Sequence, residues 1–582
     1  MGGAANPSRE LPHWGRVPIA VGSALRDFPV VLAGLALFYA FLALTHYWLA
    51  PPSPQTHIRL ERAALPGYAV FSLLRIAVAY VLSLLFTFVY GYIAAYNRKA
   101  EQFMIPLLDT LQSIPVLSFL PGVMLAMISL FPRRQLGIEL GSILLIFTGQ
   151  VWNMTFSFYS SLKSIPQEMR EVARVYRWSW WQRFTQMELP FSAIGLVWNS
   201  MMSVAGGWFF LMACEMLVLG RRDLRLPGLG SYLQTAANAG DTHAILWGVG
   251  AMVGVIVLMD QLIWRPVIAW AEKFKFEQVG AAEAPRSPVL RFLRRSRLLH
   301  WAGAHVARPA LESIMLRLAR RHGSESPLPP ARRRALWLGR TILALAVAGV
   351  GFAVVKMGIL LSGLRASEVR AVFTGAGATF LRVELTLLLA ALWTVPAGVA
   401  IGLRPRLSAL AQPVAQVAAS VPATALFPIV LLLLIRIGHG LGIGSVVLLL
   451  LGTQWYILFN VIAGATALPT DLKEVCEVFR YGGLERWTKL ILPGIFPYLV
   501  TGFVTASGGA WNASIVAEYF HFRGQTFSTT GLGAVISGAT DAGNFRLLLA
   551  ATLLMAAIVV TINRLLWRRL YALAATKYKL ET

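Results

Sequence analysis

Two glutamates hold equivalent places in a motif that occurs twice in this chain. The first copy reads Pro166-Gln-Glu-Met-Arg-Glu171-Val-Ala173 and closes on Leu189-Pro190. The second reads Pro469-Thr-Asp-Leu-Lys-Glu474-Val-Cys476 and closes on Leu492-Pro493. In both, Glu follows Pro by five residues and Leu-Pro follows that Glu by eighteen. Carboxylates on a short polar helix between long apolar segments suit contact with another protein. The plainer reading is an acidic group in the first turns of a helix, favoured by the helix dipole; the matched register in two copies favours docking. The sequence has no Gly-x-x-x-x-Gly-Lys-Ser/Thr loop, so it cannot itself cradle nucleotide phosphates, and any driving energy must come from another protein.

A second set of residues is ionisable and embedded. Arg75, Glu215, Arg382 and Glu518 lie toward one end of long apolar segments, where charge is costly and marks function by default. We expect each half of the chain to pair its Arg with its Glu on the outer side. The pair is either a clamp facing a solute or a lock between helices. Asn199, Ser203, Asn512 and Ser514 are candidates to line a path, although small polar residues are also ordinary helix-packing groups. No metal site is expected: Cys214 lies in an apolar run and Cys476 in the second motif, with neither disulfide nor metal spacing.

The elements that must position these groups are membrane helices. Of 582 residues only 14% are charged, well under the quarter usual in soluble domains. The mean hydropathy is +0.62, which points the same way. A net charge of +25 raises nucleic acid as a partner, but the positives cluster between apolar runs, as in cytoplasmic loops, so none is expected. We read twelve spans, near 30–49, 67–95, 105–131, 140–160, 191–219 and 244–265, then 336–361, 376–403, 412–436, 443–463, 494–518 and 545–566. Pro106, Pro115 and Pro121 should kink the third span, as should their copies in the second half.

The halves are duplicates. Glu171, Pro190, Trp208, Glu215 and Gly228-Leu-Gly230 recur 303 residues later as Glu474, Pro493, Trp511, Glu518 and Gly531-Leu-Gly533. Arg75, Gly91, Pro106, Pro115 and Pro121 recur 307 residues later as Arg382, Gly398, Pro413, Pro422 and Pro428. Six spans per half make the repeats parallel, related by an axis along the membrane normal. The organisation follows: a cytoplasmic segment 1–29, a first half 30–272, a basic linker 273–334, a second half 335–567 and a tail 568–582. The linker carries 14 Lys/Arg against four Glu, as either an amphipathic helix on anionic lipid or a solvated connection. A cytoplasmic N-terminus puts both motifs, the linker and the tail inside.

The repeated motif resembles the EAA loop of permease subunits of type I ABC importers. Glu171-Val-Ala173 with Leu189-Pro190, and Glu474-Val-Cys476 with Leu492-Pro493, stand in that family's register. Gln112-Ser-Ile-Pro115, Leu120-Pro121 and the stretch from Trp208 to Gly230 also look like the family, so the resemblance covers nearly the whole chain. It is nearest to the duplicated nitrate, sulfonate, taurine and bicarbonate branch. One departure stands out: the family's Gly is Arg177 in one copy and Arg480 in the other. A left-handed Arg would cost about 1–2 kcal/mol. We therefore expect the helix to run on, or the turn to move to Ser179 and to Gly482-Gly483, or the arginines to meet acidic groups on a partner.

The resemblance implies an all-α membrane protein of two fused six-helix halves in the inner membrane of a prokaryote. It implies a permease, not an enzyme, with no cofactor of its own. Two ABC ATPase subunits carrying ATP and Mg would dock on coupling helices that include Glu171, Ala173, Arg177, Pro190, Glu474, Cys476, Arg480 and Pro493. A periplasmic or extracellular binding protein would deliver the solute, and lipid would surround the chain. A small anion is the expected cargo; iron(III) or thiamine is the alternative within the class. A secondary transporter with parallel repeats is the alternative outside it.

Overall fold

The computed structural model describes residues 57–219, 222–274, 351–436, 441–522 and 525–577, with a few isolated positions besides. The expected spans 30–49 and most of 336–361, the basic linker and the N-terminal segment lie outside the described residues.

In the first half the long helices are α1 (Leu65–Tyr96), α2 (Arg98–Ser113), α3 (Leu120–Leu130) and α4 (Leu136–Lys163), then the short α5 (Gln167–Val175), α6 (Leu189–Glu215), α7 (Leu229–Ala239) and α8 (Thr242–Met259). The second half repeats the order: α9 (Ala366–Gly402), α10 (Pro405–Ser420), α11 (Ala423–Arg436), α12 (Leu441–Thr466), the short α13 (Thr470–Val478), α14 (Leu492–Ala517), α15 (Leu532–Asp541) and α16 (Phe545–Ile562). Short antiparallel hairpins follow α6 (Val218–Leu219 with Arg222–Asp223) and α14 (Tyr519–Phe522 with Gln525–Ser528). Among the described residues, eight helical stretches are long and apolar enough to cross a membrane.

The third segment departs from the expected single kinked span. In the first half it is two helices bent by 81° at Ile114-Pro115, so 105–131 does not run through as one rod. Pro106 sits inside α2 without ending it, and Pro121 occupies the first turn of α3, where its missing N–H costs nothing. The break falls at Pro115, and in the second half at Val421-Pro422, because the residue before a proline is pushed into an extended conformation.

The described chain clusters into two compact units. Of the described residues, one unit contains 166–190 and 261–274; the other contains 57–165, 191–260 and 351–577. Within the larger unit both halves build a single core. Val116, Leu117, Leu120 and Met124 of the first half share it with Ile457, Trp511, Leu532 and Met555 of the second. Hydrogen bonds close the same seam: Asn563 Nδ2 donates to Ser113 Oγ at 2.7 Å, and Thr552 Oγ1 to the Ser118 carbonyl at 3.0 Å.

Membrane helices gain little from hydrophobic exclusion and associate through close packing at small residues. The duplication preserves such a contact. A Cβ on Gly91 of α1 would lie 2.8 Å from the Phe158 ring of α4, and one on Gly398 of α9 would lie 2.7 Å from Val461 of α12. Glycine at these two positions lets α1 and α9 seat closely on their neighbours.

Candidate functional sites: two exposed short helices and two buried ion clusters

Each repeated motif forms a nine-residue helix. Pro166 precedes α5 in an extended conformation, and nothing caps the helix from a side chain. Glu171 and Glu474 are exposed; Ala173 and Cys476 are buried. Around the glutamates each helix also presents apolar groups at matched positions. Val172, Val175 and Tyr176 correspond to Val475, Val478 and Phe479, and Val175 and Val478 are each 78% exposed. Each helix thus carries a cluster of exposed apolar groups on an otherwise polar surface.

The turn after each helix corrects the sequence expectation. Arg177 has φ 49° and Arg480 has φ 51°, the only described non-glycine residues with positive φ. The helix does not run on and the turn does not move. A hydrogen-bonded cap holds it in place: Trp178 N donates to the Ala173 carbonyl at 2.9 Å and Arg177 N to the Arg174 carbonyl at 3.0 Å. Tyr481 N meets the Cys476 carbonyl in the same way, at 3.0 Å. This is the Schellman closure, in which a left-handed residue satisfies the last carbonyls of a helix. Ser179 and Gly482, the alternative turn positions, instead begin the next short helices. Ser179 Oγ accepts from Gln182 N at 3.3 Å while Ser179 N donates to Gln182 Oε1 at 2.9 Å. Glu485 Oε2 accepts from Gly482 N at 3.3 Å. We therefore expect Arg177→Gly or Arg480→Gly to raise stability by no more than about 1 kcal/mol, relief of strain offset by a freer unfolded chain. A rise in the thermal midpoint of the detergent-purified protein would show it; glycine inside a continuous helix would lower the midpoint instead.

Pro190 and Pro493 lie in the first turns of α6 and α14, each continuous with a one-turn π-helix before it (Phe184–Glu188 and Trp487–Ile491). Each proline lacks the N–H that would bond back into the preceding turn, and the helix widens to π geometry immediately before it.

The ionisable set forms two buried clusters. In the first half Arg75 Nη1 donates to Glu215 Oε1 at 2.7 Å, while Arg75 Nε and Nη2 grip Glu139 at 2.8 and 2.7 Å. Ser72 Oγ adds a bond to Glu215 Oε1 at 2.7 Å, and Gly230 N donates to Glu215 Oε2 at 2.7 Å. All three charged residues are fully buried. In the second half Arg382 Nη1 pairs with Glu518 Oε1, Thr379 Oγ1 donates to the same carboxylate at 2.8 Å, and Gly533 N donates at 2.9 Å. Each carboxylate thus sits on the N-terminus of the following helix, where orphan N–H groups and the dipole welcome negative charge. The glycines of the Gly-Leu-Gly motif follow from this. A Cβ on Gly228 would lie 2.2 Å from the Glu215 carboxyl, and one on Gly531 would lie 2.1 Å from Glu518 Oε2.

The sequence missed Glu139, Ser72 and Thr379. Ser72 and Thr379 lie three residues before each Arg, on the same helix face, and the duplication offset alone marks them. Glu139 has no counterpart carboxylate, because position 442 is Gly, so comparison of the halves hides it. Arg382 keeps the carbonyl contact that Arg75 makes with Pro227 at 2.9 Å, here to Thr530 at 3.1 Å, and its Nη2 also reaches Thr529 Oγ1 at 3.4 Å. In both halves the clusters tie helix ends together; the first is fully enclosed, whereas the Arg382 side chain of the second is only part-buried.

The expected polar lining separates into different roles. Asn512 Oδ1 accepts from Leu117 N at 3.3 Å, meeting a donor freed by the break in the first half's third segment. Ser514 Oγ donates to its own helix at the Trp511 carbonyl, 2.9 Å away. Asn199 borders an open cleft of about 460 Å³, and Ser203 is buried half-way along α6. Beyond α14 the hairpin carries a further cluster: Tyr519 Oη donates to Asp541 Oδ2 at 2.8 Å, and His521 Nε2 lies 2.8 Å from the same oxygen. Burial and the bond to Asp541 push the Tyr519 phenol up to about 12, so it stays a donor.

The family model described as binding-protein-dependent transport system inner membrane component matches residues 87–262 and again 394–575. Relatives include a nitrate import permease protein of Leptolyngbya laminosa, 25% identical over 193 residues, 33% of this chain and 66% of the relative. A putative aliphatic sulfonates transport permease protein of Bacillus subtilis is 22% identical over 213 residues, 36% of this chain and 72% of the relative. A bicarbonate transport system permease protein of Synechocystis is 30% identical over 130 residues, 22% of this chain and 45% of the relative. The aligned stretches thus span from under half to somewhat over two thirds of these relatives.

Proposed function

Because the chain belongs to the binding-protein-dependent transport system inner membrane components, matched once in each half, we propose that it alone supplies both halves of an ABC importer's translocation channel. The observation that carries this reading is the pair of short helices α5 and α13. Each presents an exposed glutamate beside an apolar tip, and each ends in a Schellman turn on a left-handed arginine. Burial of Val175 and Tyr176, or of Val478 and Phe479, in a groove on an ATPase subunit would supply affinity, and the glutamate would set orientation. Two ATPase subunits holding ATP and Mg would dock there, and a binding protein would deliver cargo from the other side of a prokaryotic inner membrane. Docking moves the channel only if the two channel conformations bind the ATP-loaded and ATP-free motor differently.

The cargo is a small anion. The nitrate, sulfonate and bicarbonate permeases among the relatives support this class. The test is co-purification with the ATPase subunits, followed by ATPase assays with the binding protein and a panel of nitrate, bicarbonate, alkanesulfonates, iron(III) and thiamine. Stimulation by an anion is the expected result; stimulation only by iron(III) or thiamine would refute the anion assignment.

A further inference from the structure

The two halves differ most where α4 faces α6 and, in the copy, α12 faces α14. In the first half an open cleft of about 460 Å³ lies between α4 and α6, bordered by Asn153, Ser157, Ser161 and Asn199 among others, with no charged residue in its lining. Ser157 and Ser161 lie against Gly195 of α6: a Cβ there would meet their hydroxyls at 2.9 and 3.4 Å. Asn153 is exposed although it is well inside a membrane-length helix. Asn199 and Ser164 bond their own helices, but Asn153 would be costly against hydrocarbon, and an aqueous front would suit this face.

One turn further in, half-way along α4, is Gln150. It is fully buried between the same two helices, where a Cβ on Gly207 of α6 would lie 2.3 Å from its Nε2. Among the described residues neither atom of its amide has a hydrogen-bond partner, nor does Ser203 Oγ one turn before Gly207. Leaving a buried amide unsatisfied costs about 1–3 kcal/mol, a cost that calls for a use.

The second half has closed the same seam. Its counterparts are Thr453 for Gln150, Tyr456 for Asn153, Asn460 for Ser157 and Gly464 for Ser161. Thr453 bonds its own helix at 2.8 Å. A Cβ on Gly502 would lie 3.1 Å from Asn460 Cβ, one on Gly464 would lie 3.0 Å from Tyr498, and one on Gly509 would lie 3.3 Å from Tyr456. That interface is packed backbone on side chain.

We propose that the α4–α6 seam of the first half is the inner leg of the solute route, with the Gln150 amide, aided by Ser203, as its midplane station for a small oxyanion. This rests on the permease reading above and adds that the two halves carry unequal shares of the path. Amide and hydroxyl donors without a cation hold an oxyanion weakly, and weak holding permits release.

The test has two arms, both on the full chain with its ATPase subunits. The first replaces Cys214 and Cys476 by Ala, then introduces Asn153→Cys, Ser157→Cys, Tyr456→Cys or Asn460→Cys. Inside-out vesicles are treated with a membrane-impermeant thiol reagent. The first two variants should be labelled and the last two protected; equal labelling in both halves, or none in the first, overturns the seam. The second arm measures uptake of nitrate, bicarbonate and methanesulfonate. Gln150→Leu should lower uptake of the transported anion about tenfold, the worth of one good hydrogen bond, while Thr453→Val leaves it unchanged. Uptake unaffected by Gln150→Leu removes the station. A wild-type complex that moves none of the three anions refutes the anion reading and the station together, and labelling then decides the aqueous seam independently.

Discussion

Arg75→Ala is expected to abolish most accumulation of folded protein in the membrane. The substitution leaves Glu139 and Glu215, both fully buried, without a counter-ion. Removing one partner of a buried ion pair costs about 3–5 kcal/mol, against a total stability of roughly 5–15 kcal/mol. Arg382→Ala should cost less. Glu518 would keep Thr379 Oγ1, Gly533 N and Ala534 N, and only one carboxylate would lose its cation. Neutralising the whole first cluster, with Arg75→Met, Glu139→Gln and Glu215→Gln together, should recover much of the loss, because the cost lies in the uncompensated charge. Monodisperse protein recovered in detergent measures all three. Wild-type recovery of Arg75→Ala would show that the cluster is no lock.

The double substitution Glu171→Ala, Glu474→Ala should behave in the opposite way. Both glutamates are exposed, so folding should change by less than about 0.5 kcal/mol. Transport should fall to background, since both contacts that pass the motor's movement to the channel would lose their orienting charge. ATPase activity of the assembled complex should no longer respond to the loaded binding protein. Placing Asp at Val478 and Phe479 should act on the apolar side of the same contact and release the ATPase on purification. Full uptake by the double glutamate variant would remove the docking role from these helices.

Much of this architecture was legible in the sequence, for a physical reason. A membrane forces long apolar runs, and duplication prints every essential contact twice, so Arg75 with Glu215 and Arg382 with Glu518 stood out before any coordinates. Ser72 and Thr379 escaped although the duplication offset marks them, and so did what the halves do not share. Glu139 faces Gly442 in the copy, and Gln150 faces Thr453, so neither repeats. The arginines at the motif turns misled for another reason. Intrinsic preference argues against a left-handed Arg by about 1–2 kcal/mol, yet the Schellman hydrogen bonds to Ala173 and Cys476 hold both residues there. The bend of the third segment was signalled by its prolines. Its size was not, because the angle depends on Asn512 and the second-half core that receive the broken end.

The central claim is that this chain is a channel body moved from outside through α5 and α13. Anion uptake into proteoliposomes tests it most directly, with the chain, its ATPase subunits and the binding protein present, then with the ATPase subunits omitted or with Glu171→Ala and Glu474→Ala in place. The account predicts ATP-dependent uptake that disappears in both comparisons while the protein stays folded. Uptake that persists without any ATPase, driven by an ion gradient alone, would contradict it.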